Sequence, residues 1–388
     1  MNIAIYLQHY LAPSMTFIYR QITEKSSKHN KIILCSRRLE HQKIFPYTPI
    51  YYNDDYKLAL IRERVFRKLY GNEYLLGSNP KLSHAHKHYF TNLLIKNNIN
   101  LIHAHFGPSA LEIFPIAKKL KIPLLMSFHG YDGSNLLRYR KYIQNLKKLL
   151  GYATVIFPSE FMKDQVKGAV SFIRNYLINH YGIPINEFQF INRTPIAEKI
   201  RRGNEIIFLQ ISNFVEKKGH IYTIRAFNKF QKTLPNSRLI IAGNGKLKFK
   251  IMEEVKKLKL STKIIFPGSV DYREVASLMS KADIFLHHSV TAANGDQEGI
   301  PNAIMEAMST GLPVVSTDHA GIPELIDNGV DGLLTSERDI DEYVESMHKI
   351  ISNSDNYAKK AREKIEKKFN LEIQNMKIER LYSQLALV

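Results

Sequence analysis

The sequence predicts an α/β protein of two doubly wound domains facing across a cleft, with the last helix crossing back to the first domain. Three observations predict it. Short apolar, β-branched runs alternate with amphipathic segments along the chain, which is the pattern of βα units and parallel sheets. The alternation comes as two series, separated by a stretch without it at 182–204. The length, 388 residues, suits two domains of ordinary size.

In the first series the runs are NIAIYL (2–7), KIILCS (31–36), NLIHAHF (100–106), PLLMSFHG (123–130) and ATVIFPS (153–159). In the second they are EIIFLQIS (205–212), RLIIAGNG (238–245), KIIFPGS (263–269), ADIFLHHS (282–289), LPVVSTD (312–318) and DGLLTS (331–336). Helix-like stretches such as 219–234 and 249–260 lie between them. The expected division is a first domain at 1–185, a linker at 186–204 and a second domain at 205–369, with a helix near 370–388 returning to the first. Both domains read as Rossmann-like, and such sheets bind ligands outside the carboxyl ends of their strands.

The N-terminus, MNIAIYLQHYLAP, has no basic leader and reads as a first strand. No run of about 18 apolar residues is present, so no spanning helix is expected. Cys35 is the single cysteine, which excludes an intramolecular disulfide and fits a reducing, cytoplasmic setting.

The formal net charge of +19 is unevenly placed. Residues 1–200 hold 28 Lys and Arg against 12 Asp and Glu, and residues 201–388 hold 27 against 24. A basic first half points to an anionic partner. The segments 56–72 and 135–150 interleave Leu, Ile, Phe and Tyr with Arg and Lys, the pattern of helices that lie on an anionic membrane. A core-facing stripe with a solvated basic face is the plainer reading of the same pattern. A nucleic-acid-binding protein is the rival that charge alone suggests. It lacks a recognisable nucleic-acid module, so nucleic acid is not expected as a partner.

The most informative stretch is NGDQEGIPNAIMEAMSTGLPVVSTDHAGIPELI, 294–326. Glu298 and Glu306 are eight residues apart, which on one helix is about 12 Å along the axis. Pro301 belongs in a first helical turn, so Glu298 is placed in the loop and the helix begins near Pro301 or Asn302. It should stop at Gly311. The amides around Gly299, Ile300, Asn302 and Ala303 are then free, and a helix N-terminus of this kind suits phosphate. A carboxylate beside a diphosphate is repulsive unless it faces hydroxyls. Sugar hydroxyls at Glu298 and ribose hydroxyls at Glu306 would satisfy both acids, which is the logic of a sugar nucleotide. An ordinary first-turn acid and a surface helix acid are the alternative.

EGIPNAIME resembles the paired-glutamate signature of retaining glycosyltransferases of the GT-B fold, especially glycosyltransferase family 4. ISNFVEKKGHIYTIRAF, LIIAGNG, IIFPGSV, ADIFLHHS and GLPVVSTDHAGIPELIDNGVDGLL resemble the family in order and spacing across nearly the whole second half. Within it, 294–326 and the early APSMTFI (12–18) are most similar to enzymes that build bacterial surface polysaccharides and lipopolysaccharides. The resemblance implies that Glu298 touches hydroxyls of the transferred sugar, Glu306 the ribose and Lys218 the donor diphosphate. It places Gly243, Gly245, Val270, Gly299, Ile300, Pro301 and Asn302 in the donor site. The family usually has an arginine five residues before the lysine, and this chain has Asn213 there. Asn213 brings no positive charge, so Lys218 and the helix amides would carry the diphosphate.

In the first half His129 follows an apolar strand in SFHGYD, where the family often has a histidine close to the reacting centre. His129 and Glu298 are therefore the expected catalytic pair. His103 and His105 share one face of another strand, and either line the acceptor side, hold a metal or pack as ordinary histidines. Ser14 and Thr16, in the turn after the first strand, are expected on the acceptor side. HAHKH (84–88) reads as surface.

The expected reaction is retaining transfer of a sugar from a nucleotide-sugar donor to a hydroxyl of a glycan or lipid-linked acceptor, by an enzyme peripheral on the inner face of the cytoplasmic membrane. Attack from the front face, with the departing phosphate taking the acceptor's proton, needs no protein nucleophile. No Asp-x-Asp pair stands in a metal-binding setting, so neither metal nor cofactor is expected. A sugar-nucleotide epimerase or hydrolase on the same frame is the rival enzyme.

Overall fold

The computed structural model describes residues 1–12, 15–24, 27–52 and 82–385, so the basic segment 56–72 lies outside the described residues. The chain divides into two units, Met1–His180 with Gln374–Val388, and Tyr181–Ile373.

The first unit holds a seven-stranded sheet. Its strands are β1 (Asn2–His9), β2 (Asn30–Arg38), β3 (Ile50–Tyr52), β4 (Leu101–His105), β5 (Leu124–Ser127), β6 (Thr154–Phe157) and β7 (Asn175–Ile178). They are ordered β3-β2-β1-β4-β5-β6-β7 and every described pairing is parallel. From the central β1–β4 pair the chain winds outwards in both directions, so this pair is the switch point where a ligand crevice opens. The central strands are buried on both faces. Ala4, Tyr6, Ile102 and Met126 join one core, and Ile3, Ile5, Leu101 and Leu125 join another.

The last helix, Leu371–Leu385, packs on that second core through Ile378 and Tyr382. Lys31 Nζ, on β2, pairs with Glu379 Oε1 of this helix at 2.8 Å. The expected return of the C-terminal helix to the first half is therefore present, held by an apolar stripe, the Lys31–Glu379 ion pair and side-chain hydrogen bonds between Tyr382 and His103, Ser27 and Glu379, and Asn375 and Glu24.

The second unit holds a six-stranded parallel sheet. Its strands are β8 (Ile206–Ile211), β9 (Ser237–Ala242), β10 (Ile264–Gly268), β11 (Ile284–His287), β12 (Val314–Thr317) and β13 (Leu333–Thr335). The order β10-β9-β8-β11-β12-β13 puts its switch point between β8 and β11. Both predicted series of strands are thus found as two doubly wound α/β units.

Two strands are additional to the sequence reading. β3 and β7 are the edges of the first sheet, half-buried or exposed throughout, so neither carries the apolar run that marks a central strand. The segment 135–150 is not one helix. A 3-10 turn, Asn135–Arg138, precedes the α-helix Arg140–Leu150, and Tyr139 between them is extended at ψ 112°.

Candidate active site

The switch point of the second unit is built from two loops that follow β8 and β11. After β11 the chain runs through an irregular loop to Glu298 and enters the helix Asn302–Ser309. Pro301 caps that helix with φ −70° and ψ 119°, as proline's fixed φ allows. The amides of Ile304 and Met305 return to the Pro301 carbonyl. Those of Asn302 and Ala303 precede any intrahelical acceptor, and among the described residues the buried Asn302 Oδ1 has no partner. Gly311 ends the helix with φ +76°, and a Cβ there would lie 2.5 Å from the Phe190 ring. The eight-residue helix is the one its sequence predicts.

After β8 the chain passes Ser212 and Asn213 and makes a 3-10 turn, Glu216–Lys218. Gly219 then sits at φ +59°, where a Cβ would fall 1.6 Å from the His288 carbonyl oxygen. Only glycine lets the lysine loop press against the end of β11 this closely. The Val290 amide donates to the Lys217 carbonyl at 2.9 Å and fastens the two loops together.

This approach brings Lys218 Nζ to 2.8 Å from Glu298 Oε1 and Lys217 Nζ to 3.9 Å. Lys217 also reaches Asp296 Oδ1 and the Gln297 carbonyl, each at 3.1 Å. Glu298 is buried, 6% exposed. Burial alone would raise its carboxyl, but the Lys218 and Lys217 ammonium groups outweigh it and pull the value down to about 2. The carboxylate is ionised across the working range of a cell, with its charge balanced locally.

The other expected donor residues are spread around this centre. Asn213 is exposed at the end of β8. Gly243 and Gly245 follow β9 at φ +137° and +154°, and each would drive a Cβ into the backbone, of Ser212 and Phe214 respectively. They let the β9 loop lie flat on the β8 loop. Gly299 and Ile300 are buried beside Glu298, and a Cβ on Gly321 would stand 2.6 Å from the Gly299 carbonyl oxygen. Glu306 is half-buried, one turn into the helix. Val270 packs against the apolar core of this unit.

At the switch point of the first unit three histidines are layered. His129 Nε2 lies 2.9 Å from His105 Nδ1, with the rings stacked at 5.1 Å. The His103 and His105 rings are 4.3 Å apart. Burial holds all three below the ordinary histidine value, His105 at about 3, so the stack is neutral at neutral pH. His103 has both nitrogens engaged, at 2.7 Å to the Tyr382 hydroxyl and 2.7 Å to Ser127 Oγ. It is fully buried beneath the C-terminal helix. His105 Nε2 has no hydrogen-bond partner among the described residues. Thr16 opens a short helix, Thr16–Ile22, and is half-buried; Ser14 lies outside the described residues.

Several neighbours of these residues were not singled out by the sequence reading. Asp132 is buried and accepts the His129 amide at 3.0 Å and the Gly107 amide at 2.9 Å. Burial raises its carboxyl to about 6 despite those donors. Lys217 and Asp296 flank Glu298, and His319 and Glu337 stand behind it. Their visible signal was position, since His319 follows β12 and Asp132 follows β5 at the carboxyl ends of the sheets. His86, expected on the surface with its neighbours, is buried and holds Ser83 Oγ at 2.8 Å, because its place in the helix His84–Lys96 faces Phe90.

Residues 192–368 match the family described as glycosyl transferases group 1, and residues 47–191 match glycosyltransferase family 4. The Escherichia coli protein WcaL, a glycosyltransferase ascribed to colanic acid biosynthesis, is 28% identical over 73% of this chain and 70% of its own. The amylovoran biosynthesis glycosyltransferase AmsK of Erwinia amylovora is 27% identical over 74% of this chain and 70% of its own. Among solved structures, Anabaena HepE in complex with UDP and glucose superimposes with a TM-score of 0.76, covering 99% of this chain and 100% of that one at 17% identity. The chain belongs to glycosyltransferase family 4, a retaining family of the GT-B fold, and is a glycosyltransferase.

Proposed function

We propose that the enzyme transfers a sugar, with retention, from a UDP-sugar to a hydroxyl of a glycan or lipid-linked acceptor during assembly of a bacterial surface polysaccharide. One observation carries the donor half of this reading. A buried, ionised Glu298 and the ammonium of Lys218 meet beside the open first turn of the helix at Asn302. The amides and the ammonium suit a diphosphate, and the carboxylate suits the hydroxyls of the sugar attached to it. Relatives named for colanic acid and amylovoran biosynthesis, and a structural neighbour holding UDP and glucose, support the choice of pathway and nucleotide.

In this reading Lys218, assisted by Lys217 and the amides of Asn302 and Ala303, stabilises the leaving diphosphate as preorganised electrostatics. Glu298 holds the sugar hydroxyls and Glu306 the ribose. The β9 turn at Gly243 and Gly245, the Asn213 loop, Val270 and the Gly299–Ile300–Pro301 backbone complete the donor site. The departing phosphate takes the acceptor proton, so no metal is needed. On the first unit His129 is the polarising group, with His105 beneath it, and Thr16 and Ser14 belong to the acceptor side. Lys141, Lys147 and Lys148, exposed on the helix Arg140–Leu150, suit an anionic membrane surface.

The test is a thermal-shift panel of nucleoside diphosphates, followed by transfer assays with the sugar nucleotide of the base that protects. Protection by UDP and UDP-dependent transfer are expected. Protection by a different base alone would replace the donor assignment, and donor consumption without any acceptor would favour a hydrolase.

A further inference from the structure

Glu298 is held from behind by a histidine that the donor motif does not account for. The Glu298 amide donates to His319 Nε2 at 3.2 Å. An amide can only donate, so Nε2 carries no proton and the neutral ring is protonated at Nδ1. Nδ1 lies 2.5 Å from Glu337 Oε1, where that proton is accepted by a carboxylate. His319 is 1% exposed, so its ring has no aqueous alternative. Glu337 is itself fixed, accepting from the Thr291 amide at 2.8 Å, from Thr291 Oγ1 at 3.1 Å and from Arg338 at 2.8 Å. Gln297 Nε2 then donates to Thr291 Oγ1 at 3.3 Å. The loop before the donor helix is thus pinned at Thr291, Gln297 and Glu298 to one imidazole–carboxylate pair on the loops after β12 and β13.

We infer that His319 and Glu337 are positioning residues that fix the Glu298 main chain, and through it the direction of the Glu298 carboxylate towards the donor's sugar. The inference rests on the donor-site reading of Glu298. It makes a distinction that a general structural role would not. The sugar should lose affinity when the pair is broken, whereas the nucleoside diphosphate, held by Lys218 and the helix amides, should not.

Calorimetric binding of UDP and of UDP-glucose separates the cases. His319→Asn keeps a donor near Nδ1 and leaves nothing at Nε2. His319→Gln can place its carbonyl Oε1, an acceptor, where Nε2 stood. For H319N, UDP-glucose affinity should fall about tenfold and UDP affinity should stay within about twofold, the size expected for one buried hydrogen bond. H319Q should recover most of the loss. Should H319N not fold, Thr291→Val loosens the same carboxylate while leaving His319 in place, and a smaller loss confined to UDP-glucose is expected. Equal loss of both ligands, or wild-type affinity for both in H319N, would overturn the inference. Wild-type protein that binds no nucleoside diphosphate or sugar nucleotide of any base would instead remove the donor-site reading, and the inference with it; binding of another base moves the same comparison to that base's diphosphate and sugar nucleotide.

Discussion

Replacing Glu298 by glutamine should separate nucleotide binding from transfer. In the free enzyme the carboxyl sits at about 2 against an ordinary 4.5, a preference for the ionised form of about 3 kcal/mol. Its folded-state value lies below its unfolded one. The associated stability is therefore complete above about pH 4.5 and is lost as pH falls towards about 2. E298Q should be up to about 3 kcal/mol less stable than wild type to urea at pH 7, with roughly half of that difference gone by pH 3. The same change frees Lys218, now 2.8 Å from the carboxylate, to meet a diphosphate without first giving up a partner. UDP should bind E298Q as tightly as wild type or several-fold tighter. Transfer should fall by about 10- to 100-fold, from the loss of charge-assisted bonds of about 1.5–3 kcal/mol to the sugar hydroxyls. Calorimetry with UDP and a transfer assay on the same preparations supply both numbers. Parallel loss of UDP affinity and transfer, or transfer at the wild-type rate, would refute the division of roles between Glu298 and Lys218.

Further outcomes follow from other positions. Asn213→Arg places a cation where the family usually has one, and should raise UDP affinity about tenfold in a salt-sensitive manner; unchanged affinity would mean that the exposed end of β8 does not face the diphosphate. Gly219→Ala puts a Cβ 1.6 Å from the His288 carbonyl at φ +59°, and should cost at least about 2 kcal/mol of stability in urea together with weakened UDP binding. Replacing Lys141, Lys147 and Lys148 by glutamate should reduce sedimentation with vesicles containing anionic phosphatidylserine, each charge being worth about 1 kcal/mol near the surface, while UDP binding is unchanged; undiminished sedimentation would move the membrane face elsewhere.

The sequence carried the fold where strands are buried on both faces. β1, β4, β5, β8, β9, β11 and β12 each overlap one of the apolar, β-branched runs of the sequence, because a parallel strand covered by helices on both sides is mostly apolar. The edge strands β3 and β7 escaped because IYY and NYLI are only three and four residues long and half-buried or exposed, and an edge needs no long buried run. The break at Tyr139 escaped because side-chain periodicity survives a single extended residue that backbone geometry does not.

At the site, the helix start at Pro301 and the glycine stop were legible, since proline and glycine restrict the backbone directly. The contacts between loops were not. His319 and Lys217 meet Glu298, and Glu337 meets His319, only after separate βα units have stacked, and local spacing holds no record of that meeting. His103 illustrates the converse. Its alternation with His105 put both on one face, but the hydroxyl of Tyr382, far along the chain, closes its ring off from solvent.

The most direct test of the central claim is a crystal structure of the enzyme with UDP bound. The account predicts the β-phosphate within about 3 Å of Lys218 Nζ and of the Asn302 or Ala303 amide, with the Lys218–Glu298 contact opened or shared. UDP bound away from this helix start, with Lys218 still closed on Glu298, would contradict it.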